Sequence, residues 1–292
     1  MKIISTLKYE RAHSEEITFV PTMGSLHAGH FSLIEKAKDF SCPIWMSIFV
    51  NKLQFNKNVD YKNYPRDLNK DISNAEIAGV DVLFTPDINY ILNKESLKYI
   101  SSGDKGIVLE GESRPGHFDG VLTVVNRLLE LIRPKYIVLG KKDAQQLFLI
   151  KKKLENNYPR TEFISSSTVR EDSGLALSSR NKLLSNSAIE VSAELFKCLK
   201  IFYSAFSSGE SVEVSRAKAK KYINQYTKIE LDYLEIVDAS SFVKPKEDTF
   251  RYFILIAAII DGVRLIDNIY FEKKNNRYYV DLGINLTGEG NK

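Results

Sequence analysis

Four short apolar runs, Ile17–Thr22, Ile44–Val50, Asp81–Thr85 and Tyr136–Gly140, alternate with segments of helical period in the first half of the chain. The helical segments are Phe31–Phe40, Arg66–Ala78 and His117–Ile132, and Asp143–Glu155 follows the last run. Nothing else in the sequence restricts the fold as strongly. A strand that is apolar along its length has no face to give to water, so both of its faces must be covered. Helices lying between such strands supply that cover, and they also supply the crossovers that parallel strands require. The expectation is an α/β domain built on a parallel sheet. Ligands bind such sheets beyond the carboxyl ends of the strands. Polar candidates fall there: His27 after the first run, Asn51 and Gln54 after the second, and Lys142 after the last.

The second half reads differently. Helical patterns at Ser187–Phe206 and Ser211–Tyr226 precede strand-like runs at Leu231–Val237, Tyr252–Ile260 and Val263–Tyr270, the order expected of a smaller α+β domain. Periodicity breaks at Val169–Ser179, giving domains over 1–170 and 171–292. The tail Lys273–Lys292 is polar and reads as partly disordered. A length of 292 residues is enough to bury two cores. A net charge of +4 is too mild for the basic stripe of a nucleic-acid binder, and Lys151–Lys153 reads as a solvated helix face. No apolar run is long enough to span a bilayer and no signal-peptide core opens the chain, so a cytoplasmic protein with no membrane partner is expected. Cys42 and Cys198 stand far apart in apolar surroundings, as buried thiols of a reducing compartment would, without zinc-ligand spacing.

Five segments carry chemistry. In Thr22–His30, His27 and His30 flank Gly29 at a spacing that puts both imidazoles on one face of a helix's first turn. A strand, a glycine-bearing loop and a helix N-terminus make a phosphate cradle, because the first turn has unpaired N–H groups and partial positive charge. A pair of ordinary surface or core histidines is the competing reading. Of the four histidines only His13 lies outside any motif-like segment. Ser47–Phe55 offers the neutral amides Asn51 and Gln54, suited to a polar uncharged substrate group or to loop capping. Glu110–Phe118 sets Arg114 and His117 around a Pro-Gly pair, as a second anion-facing helix start or a simple turn. In Gly140–Gln146, Asp143 reads as a helix N-cap, which does not explain a strand-end glycine so near Lys142. Leu177–Asn181 gives two hydroxyls and a guanidinium, either polyphosphate donors or a serine cluster at a helix start.

Taken together and in this order, Pro21–His30, Ser47–Phe55, Arg114–Phe118, Gly140–Leu147 and Val169–Asn181 closely resemble the pantothenate synthetase (pantoate–β-alanine ligase) family. Weaker echoes run through Leu231–Asp238 and Arg264–Asn268. The resemblance implies a Rossmann-like N-terminal domain binding nucleotide and pantoate, related in fold to class I aminoacyl-tRNA synthetases, and a smaller domain closing over ATP. It implies an AMP-forming ligase that condenses pantoate with β-alanine through a pantoyl adenylate, uses ATP and Mg²⁺, releases pyrophosphate, and works as a homodimer. His27, His30 and Lys142 would be catalytic, acting on the phosphates. Met23, Gly140, Asp143, Val169, Ser178, Ser179 and Arg180 would complete the ATP site, with Gln54 and Gln146 on pantoate. Asn51, Arg114 and His117 would support these contacts, and no side chain is assigned to the metal. Lys141 stands where the family commonly has Glu, changing the charge beside Lys142, and Lys52 where it commonly has Pro. The stretch from Thr6 to Ile17 looks short, and the tail after Tyr270 looks long. A nucleotidyltransferase acting on a phosphorylated alcohol would share the His27/His30 element without a reason for paired amides. A non-catalytic nucleotide sensor would need neither amides nor a second phosphate-facing loop.

Overall fold

A computed structural model describes residues 1–7, 16–56 and 58–286. His13 and most of the short stretch after Thr6 lie outside them. The chain divides into two compact units: unit 1 is Met1–Gly140 with Gln145–Ser166, and unit 2 is Lys141–Ala144 with Ser167–Lys292.

Unit 1 holds strands β1 (Lys2–Ile4), β2 (Thr18–Thr22), β3 (Ile44–Ile48), β4 (Val82–Phe84), β5 (Tyr136–Gly140) and β6 (Glu162–Ser166). They form one parallel sheet in the order β1-β4-β3-β2-β5-β6. Its helices are α1 (Ala28–Lys38), α2 (Asn58–Asn63), α3 (Leu68–Ala78), α4 (Ile88–Ile91), α5 (Glu110–Ser113), α6 (His117–Ile132) and α7 (Ala144–Leu154). Phe19, Val20, Trp45, Met46, Leu83, Phe84, Ile137 and Val138 are buried in the sheet. Against it α1 packs Leu33, Ile34 and Ala37, one apolar stripe of its otherwise polar surface. This is the expected Rossmann-like arrangement. The chain runs outward from β2 through β3 and β4 on one side, then returns to lay β5 on the other. At that switch point β2 and β5 pair only at Thr18↔Tyr136 and Phe19↔Ile137. Their carboxyl ends are therefore unpaired to each other, which is where a crevice forms in such sheets. β1 and β6, absent from the sequence reading, are the two edge strands. An edge tolerates three residues (β1) or a Ser-rich end (β6) that give no apolar run.

Unit 2 holds β7 (Val169–Arg170), α8 (Asn186–Ser192), α9 (Glu194–Ser207), α10 (Val212–Ile223), β8 (Ile229–Asp238), β9 (Arg251–Ile260), β10 (Val263–Lys274), β11 (Arg277–Asp281) and β12 (Ile284–Asn285). An antiparallel sheet runs β11-β10-β9-β8, and β12 pairs β7 in parallel. Ile254, Ile256, Ala258, Leu265, Ile269 and Phe271 pack against Leu199 and Phe202 of α9 and Ile223 of α10. One expectation is corrected here, and part of another is located. The continuous helix over Ser187–Phe206 is two helices meeting at Ala193. Near the break the Ser192 hydroxyl donates to the Ala188 carbonyl at 2.6 Å, competing with the helical ladder. The tail is ordered through Leu286: Asn275 and Asn276 turn at φ 49° and 58°, a hairpin signal, and β11 returns along β10. Its polar composition reflects an edge strand. Residues 287–292 lie outside the described residues.

Cys198 is buried and burial pushes its thiol up to about 12, whereas Cys42, expected buried, is half-exposed in the turn after α1. No helix among the described residues is long and apolar enough to cross a membrane.

Unit 2 is centred on Arg170, which is fully buried on β7. Nη1 and Nη2 donate to the two oxygens of Asp267 at 2.6 and 2.9 Å. The remaining N–H groups donate to Leu282 O at 2.8 Å, Gly174 O at 3.1 Å and Asn268 O at 2.9 Å. All five guanidinium donors are thus used, and the ring of Phe196 lies 3.9 Å from its carbon. Gly174 is at φ +95° and a Cβ there would meet Phe196 at 2.7 Å, so this turn needs glycine. Asp267→Ala leaves a buried guanidinium without its carboxylate and is expected to destabilise unit 2 by about 3–5 kcal/mol. Urea titration followed by amide exchange in β9 and β10 checks this; a loss below about 1 kcal/mol contradicts it.

Candidate active site

The loop from β2 to α1 is fixed by one buried carboxylate. Asp71 of α3 accepts from Ser25 N and Leu26 N, each at 2.8 Å. Gly24 (φ +79°) must be glycine, since a Cβ would meet Asp71 Oδ2 at 2.8 Å and Ile48 Cγ2 at 3.0 Å. Thr22 Oγ1 donates to Ser47 O at 2.7 Å and accepts from Gly24 N at 3.2 Å. The loop delivers His27 to the N-cap of α1, four residues before the sequence reading starts that helix. His27 Nδ1 accepts from Gly29 N at 3.1 Å, and His30 Nδ1 accepts from His27 N at 3.3 Å. This is a capping box made of imidazoles, with ring centroids 4.1 Å apart. Because each Nδ1 is an acceptor, each neutral ring carries its proton on Nε2. The first turn of α1 has no acidic residue. The helix-end charge is therefore not met by an acid of its own first turn.

Gln54 is buried on the 3-10 turn Lys52–Gln54, which Asn51 caps by accepting from Leu53 N at 3.0 Å. The Asn51 amide donates to Gln54 Oε1 at 3.1 Å and to Gly120 O at 2.9 Å. Gly120 must be glycine for α6 to come this near, because a Cβ would lie 2.3 Å from Leu53 O. Arg114, always a donor, lies 3.1 Å from His117 Nε2, which leaves Nδ1–H to donate to Gln54 O at 2.8 Å. With its oxygen held, Gln54 directs Nε2 to Met23 Sδ at 3.0 Å. Met23, Asn51, Gln54, Arg114 and His117 are thus one assembly in unit 1. In α7 the buried Gln145 accepts from Glu110 N and donates to Lys105 O and Val108 O. The half-buried Gln146 makes no side-chain hydrogen bond with another described residue, Gln54 included. Gly140, ending β5, is not required by the protein: a Cβ there would meet only Leu33 Cδ2, at 3.9 Å.

In unit 2, Lys142, Ser178 and Arg180 line one cleft with Asn181, Arg264 and Asp267. Val169, Asp143 and Ser179 do not line it. Val169 is buried in β7, Ser179 opens the turn Ser179–Leu183 capped by Ser178 Oγ, and exposed Asp143 lies 3.3 Å from Lys142 Nζ. Asp143 belongs to the 3-10 turn Lys141–Asp143. Asn268 holds that turn, donating to Lys141 O at 3.0 Å and Lys142 O at 2.7 Å. Three of the cleft's charges are answered: Asp267 by Arg170, Arg264 by Asp232 at 2.7 Å, and Lys142 by Asp143 at 3.3 Å. Arg180 is in no ion pair among the described residues, so the cleft favours an anion. The extra charge expected beside Lys142 is also answered, since Lys141 Nζ lies 2.7 Å from Asp281.

With this geometry in place, comparison with known proteins decides the family. The pantoate–β-alanine ligase family profile matches residues 1–270. The chain belongs to this family. It is 40% identical over 266 residues to the pantothenate synthetase of Vesicomyosocius okutanii, covering 90% of this chain and 93% of that one. It is 40% identical over 266 residues to that of Aquifex aeolicus, with the same shares. The crystal structure of pantothenate synthetase from Thermus thermophilus matches with TM-score 0.84 and 34% identity over 92% of this chain and 98% of that one. The Francisella tularensis pantoate–β-alanine ligase, complexed with β-γ ATP and β-alanine, matches with TM-score 0.73 and 37% identity over 92% and 97%. The family's activity, joining pantoate to β-alanine to make pantothenate, is the activity of this chain.

Sequence reasoning missed Asp71, Gly120 and Asn268. Asp71 had a signal: a carboxylate beside Ile72 and four residues before Ala75, on the inward face of an amphipathic helix. Asp71→Asn replaces one acceptor oxygen with an NH₂ that opposes a backbone N–H. It should cost about 1–3 kcal/mol and lower pantothenate formation at least tenfold by displacing His27. Thermal melting with amide shifts of Ser25 and Leu26 tests this; full activity with unmoved shifts contradicts it.

Proposed function

We propose that the chain makes pantothenate in two steps at these residues. A carboxylate oxygen of pantoate attacks the α-phosphorus of ATP, and pyrophosphate leaves with the bonding electrons. The β-alanine amine then attacks the acyl carbon, loses a proton, and AMP leaves. No protein nucleophile is needed; positioning and stabilisation of phosphate charge supply the rate. The observation that carries this reading is the imidazole capping box. It uses each Nδ1 as an acceptor and so puts the proton of each neutral ring on Nε2, at a helix end that has no acid of its own, which suits a phosphate whose charge is growing.

In this reading His27 and His30 take the triphosphate and Lys142 neutralises it, with Ser178, Ser179 and Arg180 as further donors to the phosphates. Met23 lies beside the reacting carboxylate. Gly140, Asp143 and Val169 serve the nucleoside, and the absence of any internal reason for glycine at 140 supports a ligand there. Gln54 and Gln146 hold pantoate: the first is braced by Asn51, His117 and Arg114, the second has no protein partner among the described residues. Mg²⁺ belongs with ATP. Its preferred ligands are oxygens, which the phosphates supply, and no group of three His, Cys, Asp or Glu among the described residues is placed to hold a metal ion. We therefore assign no side chain to the metal and bring the ion in on the phosphates. The homodimer follows from the same family reading, and sedimentation equilibrium checks it.

Purified protein with Mg²⁺, ATP, pantoate and β-alanine is expected to release AMP and pantothenate in equal amounts. Exchange of labelled pyrophosphate into ATP should need pantoate alone. Pyrophosphate exchange without pantoate, or none at all in an enzyme that makes pantothenate, overturns the adenylate route. His27→Asn keeps an N-cap acceptor but removes the Nε2–H donor. Its adenylation rate should fall about 10²–10³-fold while Tm stays within about 3 °C. A large drop in Tm with turnover intact would mean that the ring serves only the helix.

A further inference from the structure

The family match ends at Tyr270, yet the chain continues through β11 and β12 back to the strand and turn proposed to serve ATP. Asp281, the last residue of β11, is the junction. Its Oδ2 accepts from Lys141 Nζ and from Ser167 Oγ, both at 2.7 Å, and its Oδ1 accepts from Gly283 N at 3.0 Å. The ion pair is largely shielded, with the Lys141 and Asp281 side chains 18% and 21% exposed. Lys141 Nζ also lies 4.6 Å from the centre of the Tyr270 ring. Burial pushes the Asp281 carboxyl up, but the Lys141 ammonium, Ser167 and Gly283 outweigh it and hold it below the usual range, so it stays ionised.

Beyond Asp281 the chain lies along β7. Leu282 O takes the Arg170 Nε–H at 2.8 Å, Ile284 N donates to Thr168 O at 2.9 Å, and Ile284 and Asn285 pair with Val169 and Arg170. Gly283 sits at φ +89°, and a Cβ there would lie 2.4 Å from Thr168 O, so only glycine lets the segment pass this near. Two supports thus converge on the turn Lys141–Asp143. Asn268 holds the carbonyls of Lys141 and Lys142, and Asp281 holds the Lys141 side chain. The next residue, Lys142, faces the cleft with Ser178 and Arg180.

We propose that Asp281 is a positioning residue for ATP: through Lys141 it sets the turn that presents Lys142, and the segment 281–285 acts as a strap that fixes this turn and β7 together. The inference rests on the assignment of Lys142 to the triphosphate. It concerns residues that lie outside the family match, and it makes the tail part of the nucleotide site's support. The strap touches no reacting atom. Its effect is on the geometry with which ATP is met, and so on affinity for ATP in preference to the other two substrates.

The test is a double-mutant cycle on the full chain, with Asp281→Asn, Lys141→Met and both together, and Lys141→Arg as the conservative control. ATP affinity is read twice, as KM in turnover and as Kd by calorimetry without pantoate or β-alanine. Each single variant should raise both about tenfold, with kcat and the β-alanine KM within about twofold. The double variant should be no worse than about twice a single one, and Lys141→Arg should stay within twofold of wild type. A general structural role would instead lower Tm and active fraction while leaving the ATP KM and Kd in place, and that result overturns the inference. So would additive effects of the two single variants. If wild type makes pantothenate and the variants keep its ATP affinity, only the strap fails. If wild type binds ATP in an Asp281-dependent way but makes no pantothenate, only the proposed reaction fails. If it binds no ATP, both fall.

Discussion

A fully buried guanidinium is stable only if every one of its donors finds an acceptor, and unit 2 is organised around meeting that demand for Arg170. Its five N–H groups draw in the carboxylate of Asp267, the carbonyls of Gly174 and Asn268, and the carbonyl of Leu282. Those partners come from the turn after β7, from β10 and from the segment that follows β11. One side chain therefore ties three stretches remote in sequence, and Asp267 and Asn268 extend its reach. Asp267 forms part of the cleft wall, while Asn268 donates to the turn that carries Lys142. Desolvation makes the arrangement all-or-none: with any acceptor missing, the buried charge loses what compensates it.

Unit 1 applies the same rule to backbone groups. The loop entering α1 cannot pair its N–H groups within a helix or sheet, so Asp71 accepts two of them and the histidines accept two more. Meeting the backbone's needs fixes the imidazole tautomers, and the tautomers decide what the rings offer outward. Gln54 is handled alike: its oxygen is taken by Asn51 and its carbonyl by His117, so the amide nitrogen is the end left to point at Met23. Structural bonds thus orient both groups within the fold, which is the preorganisation that the proposed charge-stabilising reaction calls for.

Much of this was legible in the chain. The runs at Thr18–Thr22, Ile44–Ile48 and Tyr136–Gly140 are apolar on both faces, so their state and direction follow from burial alone. His27, Asn51 and Gln54 could be placed because the residue after a parallel strand is already near the ligand end. Other features left no local trace. β6 carries two serines and β1 three residues, and both are strands because a neighbour supplies a ladder. The polar tail reads as partly disordered since its composition gives no core, yet an Asn-Asn turn and the edge of β10 order its residues 273–281. Gln145 and Gln146 are adjacent and chemically identical. Only packing separates the one used up on α5 and its approach from the one with no protein partner among the described residues.

By itself the sequence determined the parallel sheet and the identity of the chemical groups. These depend on hydrophobic period and on residue type, which are local properties of the chain. The tertiary structure decided which of those groups are committed to the fold and which have room to meet a ligand. It alone revealed Asp71 beneath the histidine loop, Asn268 behind Lys142, and Asp281 at the end of a tail with no apolar signature. A hydrogen bond between residues more than a hundred positions apart, such as Lys141 with Asp281, requires the whole intervening chain to be packed first. Such a bond is a property of the closed fold, and periodicity does not encode it.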